Sequence, residues 1–209
     1  MKNILILFLI FLFNSSFAQL SVSVSAGFDP KEISLYNQTA EDGDNAYWNS
    51  GITFGINCDY SLSEKLIISA LFQYSQYNFD KYADSGFRIP EIIFVSANGE
   101  DSKLLRTSVE VKYFPFPQNR FKFFILSGLG VVIEDIGTIK TQFLNMIQGS
   151  NVTYTRDSEV KNKFVHSLGL GVRADIVSNL FIDVSGLYYS NYSERFQTFF
   201  GASLGYRIF

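Results

Sequence analysis

From Phe196 to the end of the chain, apolar residues fall on alternate positions. Phe196, Phe200, Ala202, Leu204, Tyr206 and Ile208 share one side, and Gln197, Gly201, Ser203, Gly205 and Arg207 take the other. A period of two belongs to a strand with one apolar face and one small or polar face. In a soluble sheet the apolar face packs on a second layer, and this sequence contains no amphipathic helix to supply one. Lipid is the natural cover. A last strand that still has both edges to pair closes on the first, so the expected fold is an all-β barrel in a membrane.

The N-terminus reads as a secretory signal peptide. Lys2 precedes an unbroken apolar run from Ile4 to Phe13, and Ser16 and Ala18 supply the small residues at the minus-three and minus-one positions, placing cleavage after Ala18. The run is ten residues long. A helix needs about 20 to cross a bilayer, so the run is not an anchor, and no cysteine follows it to direct lipoprotein processing. The expected organisation is a signal peptide over residues 1–18 and one barrel domain over 19–209.

Composition narrows the classes further. A net charge of −3 without a basic cluster gives no footprint for nucleic acid. Cys58 is the only cysteine, which rules out an internal disulfide and a thiolate metal site. Gly128, Leu129 and Gly130 lack the third glycine and the following helix of a dinucleotide loop, and no other cofactor motif is present. Aromatic content of 17%, with 12 Tyr and 22 Phe, suits a membrane barrel, whose strands are individually only weakly hydrophobic and whose interfacial girdles are aromatic.

Eight strands are expected, over Gln19–Phe28, Tyr47–Tyr60, Leu66–Phe79, Leu104–Phe114, Phe121–Ile133, Phe164–Ile176, Leu180–Tyr189 and Phe196–Phe209. The second shows the alternation well: Trp48, Ile52, Phe54, Ile56, Cys58 and Tyr60 oppose Asn49, Gly51, Thr53, Gly55, Asn57 and Asp59. Long and short connections alternate, as in outer-membrane barrels with long extracellular loops and short periplasmic turns. Pro30, Pro90, Pro115 and Pro117 all lie in connections, where a missing ladder donor does no harm. Nine strand glycines (27, 51, 55, 128, 130, 169, 171, 201 and 205) lie on the polar face, which fits the narrow interior of eight strands, and only Gly186 lies on the apolar one. Phe87–Val95 could serve as a ninth crossing, with Thr141–Tyr154 restoring an even number as a tenth. Pro90 and the turn at Asn98, Gly99, Glu100 and Asp101 favour instead an extension beyond the membrane, with a twisted hairpin edge.

These residues resemble the OmpA- and OmpX-like outer membrane β-barrel family, and the Ala18–Gln19 junction resembles that of secreted proteins of Bacteroidota. The carriers are Gly128–Leu129–Gly130, Gly169–Leu170–Gly171–Val172–Arg173 and the ending Leu204–Gly205–Tyr206–Arg207–Ile208–Phe209. The resemblance spans the mature chain. It implies an outer-membrane barrel among outer membrane lipid and lipopolysaccharide, inserted by the barrel assembly machinery, with Tyr206, Ile208 and Phe209 as the assembly signal. Members differ in function, so architecture transfers and activity does not.

The polar face carries Asp59, Glu110, Lys112, Lys122, Arg173, Asp175, Asp183 and Arg207, four charges of each sign. Threading the strands up and down puts all eight toward the periplasmic half. Charges in a narrow lumen are costly unless paired, and a balanced set reads as a hydrogen-bonded plug; a charge-lined water path is the alternative. His166, the only histidine, cannot meet Ser167 locally, because adjacent strand residues face opposite ways. It reads as a girdle or rim residue. The acidic run Glu41–Asp44 lacks calcium-loop spacing and reads as a solvated loop. Trp48, Tyr74 and Tyr188 are expected in the outer girdle, and Tyr60, Tyr113, Phe121 and Tyr206 in the inner one.

The expected function is non-enzymatic: a structural barrel, or one whose loops bind an extracellular ligand or mediate adhesion. A small passive pore is the second reading and a lipid-modifying enzyme the third.

Overall fold

The computed structural model describes residues 19–30, 48–80, 91–190 and 196–208. The signal peptide, the acidic loop with Glu41–Asp44, the Phe87–Pro90 stretch and Phe209 lie outside the described residues. The described strands are β1 (Gln19–Asp29), β2 (Gly51–Ser61), β3 (Leu66–Tyr77), β4 (Ile92–Gly99), β5 (Ser102–Tyr113), β6 (Phe121–Ile136), β7 (Ile139–Asn145), β8 (Ser150–Arg156), β9 (Glu159–Val177), β10 (Leu180–Ser190) and β11 (Phe196–Arg207).

Eight of them form one closed antiparallel ring in the order β1-β11-β10-β9-β6-β5-β3-β2. The ring closes where the sequence alternation ends, with β1 against β11 from Ser21 opposite Arg207 to Phe28 opposite Phe200. Closure leaves no barrel edge unpaired, which is what a strand structure needs in lipid. Short turns at Leu62–Lys65, Phe114–Arg120 and Ser178–Asn179 connect strands at the end that carries Gln19. The β3–β5 and β6–β9 connections, which carry the small sheet, lie at the opposite end.

Side chains are distributed inside out. Val24, Phe54, Val109, Leu170 and Val184 are each more than half exposed, whereas Thr53 and Arg106 on the inner face have no accessible surface. A continuous apolar belt of this size is not found on a soluble monomer. It is the lipid-facing surface of a membrane barrel, with polar residues turned to the lumen.

The lumen is not purely polar. Leu104, Phe114, Phe124, Leu126, Leu187, Tyr189 and Phe199 pack there as an apolar cluster. The inward glycines explain how those rings fit. A methyl at Gly171 would overlap the Phe124 ring, one at Gly205 the Phe181 ring, and one at Gly27 the Phe199 ring. Each aromatic side chain lies across a neighbouring strand that offers bare backbone.

Two expectations are corrected beyond the barrel end. The segment after Pro90 does not form a hairpin of its own: β4 pairs with β7, 40 or more positions later, and β7 pairs with β8, giving a separate three-stranded sheet in the order β4-β7-β8. The barrel therefore keeps eight strands. Trp48, expected in a lipid-facing girdle, is buried at 7% exposure beside Ala97, Ile136 and Ile139. Its ring meets Phe79 edge-on at 6.5 Å, and Nε1 donates to the Glu100 carbonyl at 3.0 Å. It anchors the small sheet to the barrel rim, because β2 begins only at Gly51 and Trp48 precedes the regular alternation.

Candidate functional site

The lumen gathers the charges at two levels. Near the short-turn end, inward positions of β2, β5, β9 and β10 bring Asp59, Lys112, Arg173 and Asp183 together. Arg173 donates to both Asp183 oxygens, from Nε at 2.6 Å and from Nη2 at 2.7 Å, and from Nη2 to Asp59 at 2.8 Å. Lys112 Nζ lies 3.1 Å from Asp59 and 3.8 Å from Asp183. Ser69 donates a further hydrogen bond to Asp59. The guanidinium also stacks on Phe181, 3.9 Å from the ring centre, with Phe114 at 5.3 Å on another side. Two acids and two bases thus neutralise each other where water is largely excluded, the condition under which buried charge is tolerated.

Closer to the mouth, Asp175 accepts from Lys122 Nζ at 2.8 Å and from Arg207, which also donates to the Ser178 carbonyl at 2.7 Å. Glu110 stands apart. It is buried and accepts from Ser108 at 3.2 Å, and it forms no ion pair among the described residues. A cavity of about 30 Å³ bounded by Asn57, Glu110, Lys112, Asp183 and Ser203 lies next to it, room for about one water.

Sequence reasoning missed a second network toward the long-loop end. Arg106 Nη1 donates to Gln73 at 2.9 Å, and Nη2 lies 3.4 Å from Asp29. Tyr77 donates to Asp29 at 2.8 Å and Ser75 at 3.2 Å, while the Tyr189 ring lies 3.9 Å from the Arg106 guanidinium carbon. Half of the signal was available, since Arg106 has the parity of Ser108, Glu110 and Lys112, whereas Asp29 lies one residue past the strand expected over Gln19–Phe28. With this pair included, five acids face five bases. Of the residues expected to form an assembly signal, Tyr206 and Ile208 lie at the closing edge and point outward, and the Ile208 N–H donates to the Leu20 carbonyl at 2.7 Å.

His166 faces outward, opposite in sense to buried Ser167. The structure brings it instead to Ser127 on the neighbouring strand, with Nε2 and Oγ 3.2 Å apart. No carboxylate orients the imidazole among the described residues. Tyr74, Tyr113, Tyr188, Phe121 and Tyr206 are exposed on the outer wall, as girdle residues must be.

No protein-family model matches the chain, and no curated protein matches it in sequence. Solved structures do. The attachment invasion locus protein Ail of Yersinia pestis is similar at a TM-score of 0.51 and 18% identity, over 92% of this chain and 99% of Ail. Ail has also been crystallised with the heparin analogue sucrose octasulfate. A major outer membrane protein of Thermus thermophilus is similar at a TM-score of 0.53 and 12% identity, over 91% of this chain and 99% of that one. The chain therefore has the closed eight-stranded antiparallel fold of outer-membrane β-barrels.

Proposed function

We propose that this chain is a non-enzymatic, non-conducting barrel of a Gram-negative outer membrane, whose long-loop end binds a macromolecule outside the cell. The lumen carries the first part. Three groups of paired charge and an apolar cluster fill it, and the internal cavity of about 30 Å³ is too small for a solute path. The small sheet supports the second. It projects beyond the barrel with Met146, Ile147, Val152 and Tyr154 exposed, and β8 has one edge without a strand partner among the described residues. Unpaired strand edges with apolar neighbours are sites where other chains add. In this reading the short turns face the periplasm, lipid and lipopolysaccharide surround the belt, and the barrel assembly machinery inserts it.

Deleting 141–154 tests the binding role. Cells carrying the deletion should lose attachment to a protein-coated surface while the barrel still shows heat-modifiable gel mobility. Full attachment by the deletion strain refutes it. The outward Ser127–His166 contact is the specific observation behind the enzymatic reading, since it places a nucleophile beside a base. Among the described residues it lacks an orienting acid, and the surrounding strand N–H groups are committed to the ladder rather than free as oxyanion donors. Fatty acid release from lipopolysaccharide that disappears in Ser127→Ala would favour it.

A further inference from the structure

The mouth at the short-turn end is a blind vestibule of about 720 Å³. Its size lies in the range of small-molecule sites, about 300–1,000 Å³. The charged lining is Glu64, Arg120, Lys122, Arg173, Asp175 and Arg207. Arg173 forms the floor and is already matched by Asp59 and Asp183. Among the others, Lys122 and Arg207 share the single carboxylate of Asp175. Arg120 makes no ion pair among the described residues and lies 6.0 Å from the ring centre of Phe121. Three cations therefore face two acids, with Glu64 out on a turn.

Two of the three cations are also held in place. Arg207 is fixed by both Asp175 and the Ser178 carbonyl, and Lys122 by Asp175, so each keeps unused donors in a defined position. Preorganised donors lose little freedom when they bind. Around them the wall supplies the amides of Gln118 and Asn119 and the hydroxyls of Ser61 and Ser63, with Pro117 as apolar surface. Amides and hydroxyls suit sugar hydroxyls, and the proline ring suits the apolar face of a pyranose. The cations require an oxyanion.

We propose that this vestibule binds a sugar-sized oxyanion, a monosaccharide or disaccharide bearing a carboxylate or a phosphate. That the ligand arrives from the periplasm rests on the orientation given under Proposed function. Binding itself does not, so a conducting lumen or a different membrane would leave this proposal standing.

The test is a titration of the refolded mature chain in detergent micelles, followed by amide chemical shifts, with glucuronate, glucose 6-phosphate, glucose and inorganic phosphate as separate probes. Glucuronate and glucose 6-phosphate should saturate and move resonances at 118–122 and 175, glucuronate reporting the carboxylate source and glucose 6-phosphate the phosphate source. Arg120→Gln with Lys122→Gln should weaken both about 10-fold or more, the value of lost hydrogen bonds to a charged group. Lys140→Gln, on the distant small sheet, should change nothing. Arg120→Gln alone removes an exposed side chain and keeps the test open if the double variant refolds poorly. Glucose binding as well as glucuronate, inorganic phosphate binding as well as glucose 6-phosphate, or indifference to Arg120→Gln would each overturn the proposal.

Discussion

Replacing Arg173 with Met removes the guanidinium and keeps most of the stem. In the native lumen that group makes three short hydrogen bonds, at 2.6, 2.7 and 2.8 Å, to two carboxylates with almost no exposed surface. Each hydrogen bond to a charged group contributes about 1.5–3 kcal/mol, but the sum overstates the loss. Lys112 stays within 3.1 Å of Asp59 and 3.8 Å of Asp183 and continues to offset their charge. Met also fills the space over Phe181. The expected cost is that of breaking a buried pair by removing one partner, about 3–5 kcal/mol. Urea titrations of the mature chain in lipid vesicles, read by heat-modifiable gel mobility, measure it. Adding Asp183→Asn to Arg173→Met should recover part of the loss, because one orphaned charge disappears with it. A cost within about 1 kcal/mol, the value of an exposed pair, would refute the reasoning: water would have to reach these carboxylates freely.

Three further outcomes follow from side-chain placement. Leu204→Arg puts a charge on the outer wall and should cost about 2–4 kcal/mol if the site lies near the bilayer midplane, whereas Ser203→Thr, beside the small lumen cavity, should cost much less in the same refolding titration. Gly171→Ala should cost about 1–3 kcal/mol by overpacking, since Phe124 is backed by Phe114 at a ring separation of 5.2 Å and cannot retreat. Gly186→Ala, whose nearest neighbour is the outward Phe200 ring at 3.1 Å, should cost less. Trp48 is the only tryptophan, so its fluorescence reports the small sheet; brominated lipids should quench it weakly, and strong quenching would return it to the girdle.

The barrel was legible because a membrane enforces strand parity on every crossing. Alternation through β2, β5 and β11 assigns inner and outer faces, and the lone outward glycine, Gly186, was visible from it. What escaped is what depends on partners far apart in sequence. The pairing of β4 with β7 leaves no local mark, since two short apolar segments carry the same pattern whether they pair together or with something else. Trp48 shares the parity of Ile52 and Phe54, yet it lies before the ladder begins, where parity no longer dictates a face. Phe124, Phe181 and Phe199 look misplaced on a polar face until the glycines across the strand are matched with them. Arg106 is readable by parity, but Asp29 falls one residue beyond the alternation of the first strand, and only the extension of β1 to Asp29 brings the pair into the lumen. Ser127 and His166 are 39 positions apart, and only the β6–β9 register brings them together.

A filled lumen is the central claim, and single-channel conductance of the refolded mature chain in a planar bilayer tests it most directly. The parent should show no steady conductance. Arg173→Asp, which leaves three acids around Lys112 and breaks the floor of the plug, should show openings. Stable, ion-selective conductance in the parent would contradict the account and make this chain a small pore.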